Sequence, residues 1–308
     1  MEKEKRGVVK AIEQFAVHDG PGMRLIVFLK GCMLKCRWCQ NPEAISPKLE
    51  VWFKKIACKD RGDCVEACPQ DAITMDKENK IIRKKCDNCL LCVDVCKSKA
   101  IEVIGAYMTA EDLFKEINKY KFFYSRSKNG GVTISGGDPL FQLDFTIDVL
   151  QRCQEAGIHT AIETCLYSRY ENVWKLVSRC DQLICDIKHM DSEKHKEGTG
   201  VPNELILENL IKLNKDYKKN IAVHVPLIPG YNDDEEHIRR LIEFLLPLEQ
   251  VKNLDLLPFN TLAVGKYLAM GIDWEFTKTE RQTKEHLEKL KEVAESYKRF
   301  QVSVGGLW

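Results

Sequence analysis

Apolar strand-like segments and amphipathic helix-like segments alternate along most of the chain. Runs rich in aliphatic and β-branched residues predict strands at residues 7–17, 23–30, 131–135, 158–163, 182–187, 221–228 and 253–258. Helical periodicity, a capping box at Thr109 and Asp112, and a cap signal at Gly157 predict helices at residues 109–121, 141–157, 169–179, 203–217, 233–247 and from about 277. This alternation predicts an α/β fold with a parallel sheet and right-handed crossovers.

Six strand–helix units can be counted from the strand at residues 23–30. Six is fewer than the eight units of a closed TIM barrel, so we expect a partial (βα)6 TIM-type barrel. A cysteine-dense stretch of short elements interrupts the first crossover. We therefore expect residues 1–48 and 105–308 to form the barrel, and residues 49–104 to form a small inserted domain.

Charge and hydropathy narrow the function classes. Lys+Arg 47 against Asp+Glu 46 gives a formal net charge of +1, and no basic patch with interleaved aromatic residues predicts nucleic-acid binding. No apolar run approaches the ~20 residues of a membrane-spanning helix. The charged residues at the start of the sequence do not resemble a secretory signal. We expect a cytoplasmic, monomeric protein that binds neither a membrane nor a nucleic acid.

Ten of the fourteen cysteines lie between Cys32 and Cys96, in three groups. Clustered cysteines in a cytosolic protein bind metal more often than they form disulfides. The remaining four lie in apolar contexts and are expected to be small buried hydrophobes, namely Cys153, Cys165, Cys180 and Cys185.

Cys32, Cys36 and Cys39 follow the first parallel strand on one short loop, with Trp38 before the last of them. Three thiolates can bind three corners of a [4Fe–4S] cubane and leave the fourth iron open for a substrate. A zinc site with one ligand missing is the alternative. The C-x3-C-x2-C spacing resembles the radical S-adenosylmethionine (SAM) superfamily. So does the sequence 135–139, which resembles that superfamily's Gly-Gly-Glu-Pro motif, with Asp138 in place of the glutamate.

Five further motifs, in order along the chain, resemble the glycyl-radical-enzyme activating enzymes of that superfamily. They are the opening segment 15–24 with its glycine-rich turn 18–22, the sequence 39–43, Glu163-Thr164, the sequence 185–190, and the sequence 226–233. The resemblance implies reductive cleavage of SAM and removal of a Cα hydrogen from a glycine of a partner glycyl radical enzyme. It implies that the Asp19–Gly22 turn faces the partner's glycine loop.

The resemblance also implies residue roles. Lys188 lies near the SAM carboxylate, and oxygen atoms of Glu163, Thr164, Asp186 and the Ile184 backbone surround a monovalent cation. The implied SAM-binding residues are Trp38, Gln40, Gly136, Gly137, Asp138, Asp186, Ile187, Lys188, His224 and Asn260. His224 stands where the family often has Arg, and Asn260 where it commonly has His.

The inserted stretch resembles a bacterial two-cluster ferredoxin. Cys86, Cys89, Cys92 and Cys96 have the complete C-x2-C-x2-C-x3-C spacing, and the preceding run has the same spacing except for Arg61 in the second position. In such ferredoxins the fourth cysteine of each run binds the other cluster. The rule predicts one complete site from Cys86, Cys89, Cys92 and Cys68, and one three-thiol site from Cys58, Cys64 and Cys96.

Arg61 has no lone pair with which to bind iron. The three-thiol site therefore holds a [3Fe–4S] cluster, recruits an oxygen of Asp60 or Asp63, or is empty; we favour an occupied but labile cluster. Zinc is the alternative for the whole segment.

We predict an activating enzyme with a [4Fe–4S] cluster, SAM, one or two further iron–sulfur clusters and a monovalent cation. Its partners are expected to be a glycyl radical enzyme and a flavodoxin or ferredoxin-type electron donor. The alternatives are a radical SAM enzyme that acts on a small molecule or RNA, and an iron–sulfur electron-transfer protein.

Overall fold

The frame of the molecule is a nine-stranded, mostly parallel sheet, seen in a computed structural model that describes residues 5–16, 19–75 and 78–305. Val17 and His18, which belong to the predicted glycine-rich segment, lie outside the described residues. The strands, in chain order, are β1 (Arg6–Ala16), β2 (Arg24–Leu29), β3 (Glu50–Phe53), β4 (Ile101–Ile104), β5 (Ala106–Thr109), β6 (Gly131–Gly136), β7 (His159–Thr164), β8 (Gln182–Asp186), β9 (Ile221–Leu227), β10 (Val251–Pro258) and β11 (Gln301–Val304).

Strand order in the large sheet is β11-β10-β9-β8-β7-β6-β2-β1-β5. Strands β2 and β6 to β11 run parallel, whereas β1 pairs antiparallel with both β2 and β5. The helices are α1 (Asp63–Glu66), α2 (Leu91–Val95), α3 (Ala110–Asn118), α4 (Lys121–Tyr124), α5 (Leu143–Glu155), α6 (Tyr170–Val177), α7 (Ser192–Thr199), α8 (Glu204–Asp216), α9 (Glu235–Leu245), α10 (Val264–Met270) and α11 (Lys284–Glu295).

The predicted strands and helices all appear in this architecture; the differences are one later helix start and several short elements that were not predicted. Helix α11 begins at Lys284 rather than near residue 277, because residues 275–278 form a separate 3-10 turn. Helix α7 was not predicted, because its polar sequence SEKHKEGT has little apolar periodicity. Helix α10 and strand β11 are too short for a periodic signal.

One core joins the sheet to the helices. The parallel strands contribute side chains that are at most 1% exposed, among them Val27, Ile134, Ile162, Leu183, Val223 and Leu254. Parallel strands covered on both faces are expected to be this apolar. The four cysteines outside the clustered groups are buried, as predicted.

The cysteine-rich stretch has a sheet and a core of its own. Strands β3 and β4 pair antiparallel at its two ends, in register from Glu50 with Ile104 to Phe53 with Ile101. Its apolar cluster contains Val51, Phe53, Ile73, Ile81, Cys92, Ala100 and Ile101. The large sheet's core cluster contains none of these residues. The stretch therefore packs largely around itself.

A buried carboxylate ties the segment after the first cysteine loop to the large domain. Glu43 is 0% exposed, and its Oε1 lies 3.0 Å from Nζ of Lys10 and 3.0 Å from Nζ of Lys266. Burial works against ionisation, but the two ammonium groups lower the pKa of Glu43. Lys266 also donates to the carbonyl of Gln40 and to Oδ1 of Asn41. The chain leaving Cys39 is thereby fixed to β1 and α10.

Among the described residues, no helix is both long and apolar enough to cross a membrane.

We expect Glu43→Gln to lower the free energy of unfolding by about 3 kcal/mol, because it leaves two ammonium groups without their buried counter-charge. The measurement is the thermal unfolding midpoint of the reconstituted protein. Glu288→Gln is the control, since the Glu288 carboxylate is 61% exposed beside Lys291 and such pairs contribute little. Equal shifts for the two variants would contradict the role of Glu43.

Candidate active site at the carboxyl ends of the parallel strands

A cavity of about 370 Å³ lies at the carboxyl ends of the parallel strands. It is lined by thirteen of the residues predicted for the SAM, cluster and cation sites, namely Cys32, Cys36, Cys39, Trp38, Gln40, Gly136, Gly137, Asp138, Glu163, Thr164, Asp186, Lys188 and Asn260. Ile187 and His224 do not line it: both are buried, at 2% and 2% exposure. Asp19 of the predicted turn also lines the cavity.

The three cysteines of the loop face this one cavity. Backbone bonds from Lys35 to Thr199 (2.8 Å) and from Cys32 to Ile45 (3.0 Å) hold the loop against its surroundings. Burial raises the pKa of the Cys39 thiol to about 12 and also raises that of Cys36. A bound metal needs thiolates, so cluster binding must displace these protons. The buried Cys165, directly after β7, also lines the cavity. The three thiols that share the loop, with no fourth cysteine on it, fit a cubane with one open iron.

Gly136 and Gly137 pack directly against the start of the cysteine loop. A Cβ on Gly136, whose φ is +117°, would lie 2.1 Å from the backbone nitrogen of Leu29. A Cβ on Gly137 would lie 2.2 Å from the carbonyl oxygen of Gly31. The amides of Gly137 and Asp138 donate to Leu29 and Gly31, both at 2.8 Å. The glycines are therefore required for the close contact between the ends of β2 and β6.

The carboxylate of Asp138 is engaged within the chain. It accepts hydrogen bonds from the Thr164 hydroxyl (2.9 Å) and from the backbone amides of Cys165 (2.9 Å) and Leu140 (2.8 Å). Burial raises its pKa although these donors oppose the shift. The hydroxyl group of Thr164, predicted as a cation ligand, thus donates its hydrogen bond to Asp138. This carboxylate joins the ends of β6 and β7.

Asp186 and Lys188 form a nearly buried ion pair at the end of β8. The Lys188 ammonium lies 3.3 Å from Oδ2 of Asp186, and the two side chains are 13% and 18% exposed. Burial opposes the charge on Lys188, but Asp186 and the nearby Cys36 sulfur raise its pKa overall. A cation fixed here can attract an anionic group of a bound molecule.

A line of polar side chains crosses the sheet from Ser135 and Glu163, which line the cavity, to residues on β9, β10 and β11 that do not. Glu163 Oε1 lies 3.3 Å from His224 Nδ1, and Asp255 Oδ2 lies 3.5 Å from His224 Nε2. Ser135 donates to Glu163, and Ser303 donates to Asp255. Ser135 is the first residue of the motif 135–139 but had no predicted role, and Asp255 and Ser303 were not among the predicted residues. A lone acid in the apolar sequence of β10 was the available signal, because a buried acid needs a partner.

Ligand atoms of Glu163, Asp186 and His224 lie within 4.8 Å of one another, so these three could hold a metal ion. Ile184 lies opposite Glu163 in the β7–β8 ladder. The structure thus brings together two of the residues predicted around a cation, Glu163 and Asp186, and adds His224 to them.

Trp38, Gln40 and Asn260 form one side of the cavity. Trp38 is 5% exposed and belongs to an aromatic cluster, with its ring centroid 4.7 Å from that of Tyr231. Gln40 donates to the carbonyl of Asn260 at 3.0 Å. The Asn260 side-chain oxygen accepts from the amide of Leu262 at 3.1 Å. The cysteine loop and the end of β10 are therefore linked.

The insert brings its cysteines together in the two predicted sets. Cys68, Cys86, Cys89 and Cys92 line one cavity, and Cys58, Cys64 and Cys96 line a second. Each set combines thiols from both halves of the insert, as the ferredoxin rule requires.

Comparison with known proteins identifies the family. The radical SAM superfamily pattern matches residues 26–242. The chain is 40% identical over 303 residues to the (2S)-3-sulfopropanediol dehydratase activating enzyme of Klebsiella oxytoca, with 95% of each chain covered. It is 37% identical over 301 residues to a 4-hydroxyphenylacetate decarboxylase activating enzyme of Clostridioides difficile, with 95% of this chain and 94% of that one covered. The chain belongs to the glycyl-radical-enzyme activating enzymes of the radical SAM superfamily.

The fold of this activating enzyme is shared with more distant proteins. A radical SAM methyltransferase from Sphaerobacter thermophilus superposes with a TM-score of 0.54 at 10% identity, covering 92% of this chain and 67% of that one. The activating enzyme uses a [4Fe–4S] cluster and SAM. Cys32, Cys36 and Cys39 are the thiols whose arrangement fits this cluster.

The Glu163–His224 pair makes a pH-dependent contribution to stability. Burial opposes the charge on both groups. The Glu163 carboxylate nevertheless raises the pKa of His224 above 6.5, and the His224 ring lowers the pKa of Glu163 below 4.5. The His224 contribution is complete below the ordinary histidine pKa and is lost as pH rises through its raised value. The Glu163 contribution is present above the ordinary glutamate pKa.

We therefore expect His224→Gln to lower the unfolding midpoint of the SAM-free enzyme most at about pH 6, and less at about pH 9. The measurement is the difference in midpoint between the two proteins across this range. A difference that grows with pH would contradict the charged pair.

Proposed function

We propose that residues 1–48 and 105–308 form a partial (βα)6 barrel and that residues 49–104 form an inserted ferredoxin-like domain. Two observations support this division. Strands β2, β6, β7, β8, β9 and β10 are six neighbouring parallel strands, and the insert has a separate core. In this arrangement the strand ends form the mouth at which the activating enzyme meets SAM and its protein substrate. The insert attaches beside the mouth, through β3 and β4.

When bound, the cluster and SAM supply reductive cleavage of SAM to a 5′-deoxyadenosyl radical, which takes a Cα hydrogen from a glycine of the partner enzyme. The chain's own residues bind and orient the reactants. Cys32, Cys36 and Cys39 hold the cluster and leave one iron open. Lys188 attracts the SAM carboxylate, and Asp186 keeps that ammonium charged and in place.

The remaining residues of the cavity shape the space for SAM. Gly136 and Gly137 allow close approach of the β6 end, and Asp138 fixes that end to β7. Trp38 and Gln40 pack beside the cofactor, and Asn260 offers hydrogen bonds at the end of β10. Ile187 is buried outside the cavity lining and supports the Asp186–Lys188 segment from within the core. His224 lies next to the cavity and acts through Glu163.

Glu163, Thr164, Asp186 and the Ile184 backbone are proposed to surround a monovalent cation. Two carboxylates within reach of one ion, and a hydroxyl beside them, are the hard oxygen ligands that such an ion prefers.

The protein substrate is a glycyl radical enzyme, and the relatives' partners include a dehydratase, a decarboxylase and a choline trimethylamine-lyase. We place its glycine loop against the Asp19–Gly22 turn, because Asp19 reaches the cavity. The electron donor is a flavodoxin or a ferredoxin-type protein, and the activating enzyme is monomeric. The insert thiols are proposed to bind further iron–sulfur clusters.

The observation that carries this function is one cavity lined by the three loop thiols together with Lys188 and Asp186. We expect the anaerobic, reduced enzyme to release 5′-deoxyadenosine from SAM, and Cys36→Ala to abolish release. With a glycyl radical enzyme encoded beside it, EPR should show a glycyl doublet. Release without a doublet for any neighbouring partner would argue for a small-molecule substrate instead.

Lys188→Met is expected to raise the KM for SAM by roughly tenfold or more, because a fixed charge–charge hydrogen bond contributes about 1.5–3 kcal/mol. The measurement is 5′-deoxyadenosine release against SAM concentration. Lys194→Met serves as the control, since Lys194 follows the same strand but does not line the cavity. An unchanged KM for Lys188→Met would remove Lys188 from SAM binding.

The cation proposal predicts faster SAM cleavage in potassium or sodium salts than in tetramethylammonium salt at equal ionic strength. Glu163→Gln should abolish this difference, because it removes one of the two carboxylates. The initial rate of 5′-deoxyadenosine formation measures it. A rate that is independent of the cation in the unmodified enzyme would contradict the site.

A further inference from the structure

The two halves of the insert have the same backbone conformation, displaced by 28 positions. Left-handed residues recur in pairs, with φ of +49° at Asp60 and +63° at Asn88, and +86° at Gly62 and +68° at Leu90. The bonds to sulfur recur as well: the Ala72 amide donates to Cys68 and the Ala100 amide to Cys96, both at 3.2 Å. The halves can therefore be compared residue by residue.

This correspondence places Arg61 where the second half has Cys89. The backbone at the position is retained, but the ligand is replaced by a side chain that cannot bind iron. The guanidinium turns to Asp63, with 2.9 Å between Nε and Oδ2, and is 52% exposed. The cavity lined by Cys58, Cys64 and Cys96 therefore has three thiols among the described residues.

Each carboxylate that could supply a fourth ligand is paired with a cation. Asp63 is held by Arg61, and Asp60 is held by Lys80, whose ammonium bonds to Oδ1 of Asp60. The Lys80 side chain is only 6% exposed. If Asp60 left to bind iron, Lys80 would lose the carboxylate with which it is ion-paired, which is unfavourable for a buried ammonium.

The two cavities differ in charge. Within the described residues, the three-thiol cavity is lined by four cations, Lys59, Arg61, Lys80 and Lys97, and one acid, Asp63. The four-thiol cavity is lined by one charged side chain apart from its cysteines, Asp87. Nearby cations stabilise the more negative, reduced state of a cluster and so raise its reduction potential.

We propose that Cys58, Cys64 and Cys96 hold a [3Fe–4S] cluster whose negative charge is compensated by Lys80, and that this cluster has the higher reduction potential of the two in the insert. The proposal rests on the assignment of residues 49–104 as a ferredoxin-like domain. It assigns low-potential electron transfer toward the barrel to the cluster of Cys68, Cys86, Cys89 and Cys92.

The test uses the full chain with Cys32→Ala, Cys36→Ala and Cys39→Ala, so that the SAM cluster cannot contribute a three-iron signal. After anaerobic reconstitution with iron and sulfide, we expect seven irons per chain, from one four-iron and one three-iron cluster. Mössbauer spectra before oxidation and EPR after ferricyanide oxidation identify the cluster types. The three-iron EPR signal should account for one spin per chain.

Two substitutions separate the halves of the insert. In the same background, Arg61→Cys should raise the iron count to eight and remove the three-iron signal. Cys89→Arg is the matched change in the other half and should lower the count to six and double the three-iron signal. If both variants give these iron counts and signals, the proposal is supported by the type of cluster bound and independently of enzyme activity.

A four-iron spectrum at the three-thiol site of the unsubstituted background would overturn the proposal. If Asp60→Ala then converts that spectrum to a three-iron one, Asp60 is the fourth ligand. A count of four irons, with an empty three-thiol site, would overturn it as well. An insert that binds no iron would refute the ferredoxin-like assignment. The enzymatic function is tested separately, by SAM cleavage in the unmodified chain.

Lys80 is tested by a redox titration of the three-iron signal, in which each cluster takes up one electron from the added reductant. Lys80→Met should lower the midpoint potential, and Lys80→Arg should leave it near the unmodified value, because Arg retains the charge. An unchanged potential in Lys80→Met would exclude charge compensation by Lys80. Asp60, whose carboxylate is 72% exposed, can be hydrated when its partner is removed, so both variants should fold.

Discussion

Parallel pairing of β2 with β6 to β10 is the constraint on which the active site depends. Because these strands run in one direction, their carboxyl ends meet at one edge, and each following loop delivers side chains to the same cavity. The cysteine loop follows β2, the glycine pair ends β6, Glu163 lies at the end of β7, and Asp186 ends β8. Residues more than 150 positions apart therefore line one cavity.

Placing these groups side by side requires charge to be buried, and the structure neutralises it locally. Glu43 lies between two lysines behind the cysteine loop, Asp186 faces Lys188, and Glu163 faces His224. Buried charges are tolerated only with partners of this kind. The same ion pairs also fix the loop and the strand ends. They therefore both neutralise the buried charge and hold the site in its final geometry.

Sequence reasoning predicted the sheet and the cysteine sets because both depend on spacing along the chain. Strand–helix alternation indicates a parallel sheet, and the C-x2-C-x2-C-x3-C repeat indicates which cysteines share a cluster site. Sequence reasoning did not predict that Asp138 would accept from Thr164 and the Cys165 amide, because those donors lie at the end of the next strand in the sheet. Nor did it identify Asp255, whose partner Ser303 lies on a strand too short to be periodic.

His224 stands where the family often has an arginine, and this difference changes the electrostatics of the site. An arginine stays charged at every accessible pH and has a forked donor set. Histidine is shorter and has two ring nitrogens, each aimed at one carboxylate, Glu163 and Asp255. Its charge depends on those two acids, so the electrostatics next to the cavity are set by three mutually dependent groups rather than by one fixed cation. The charge next to the cavity therefore depends on Asp255 of β10 and on Ser303 of β11, which donates to Asp255. Neither strand contributes a cluster thiol.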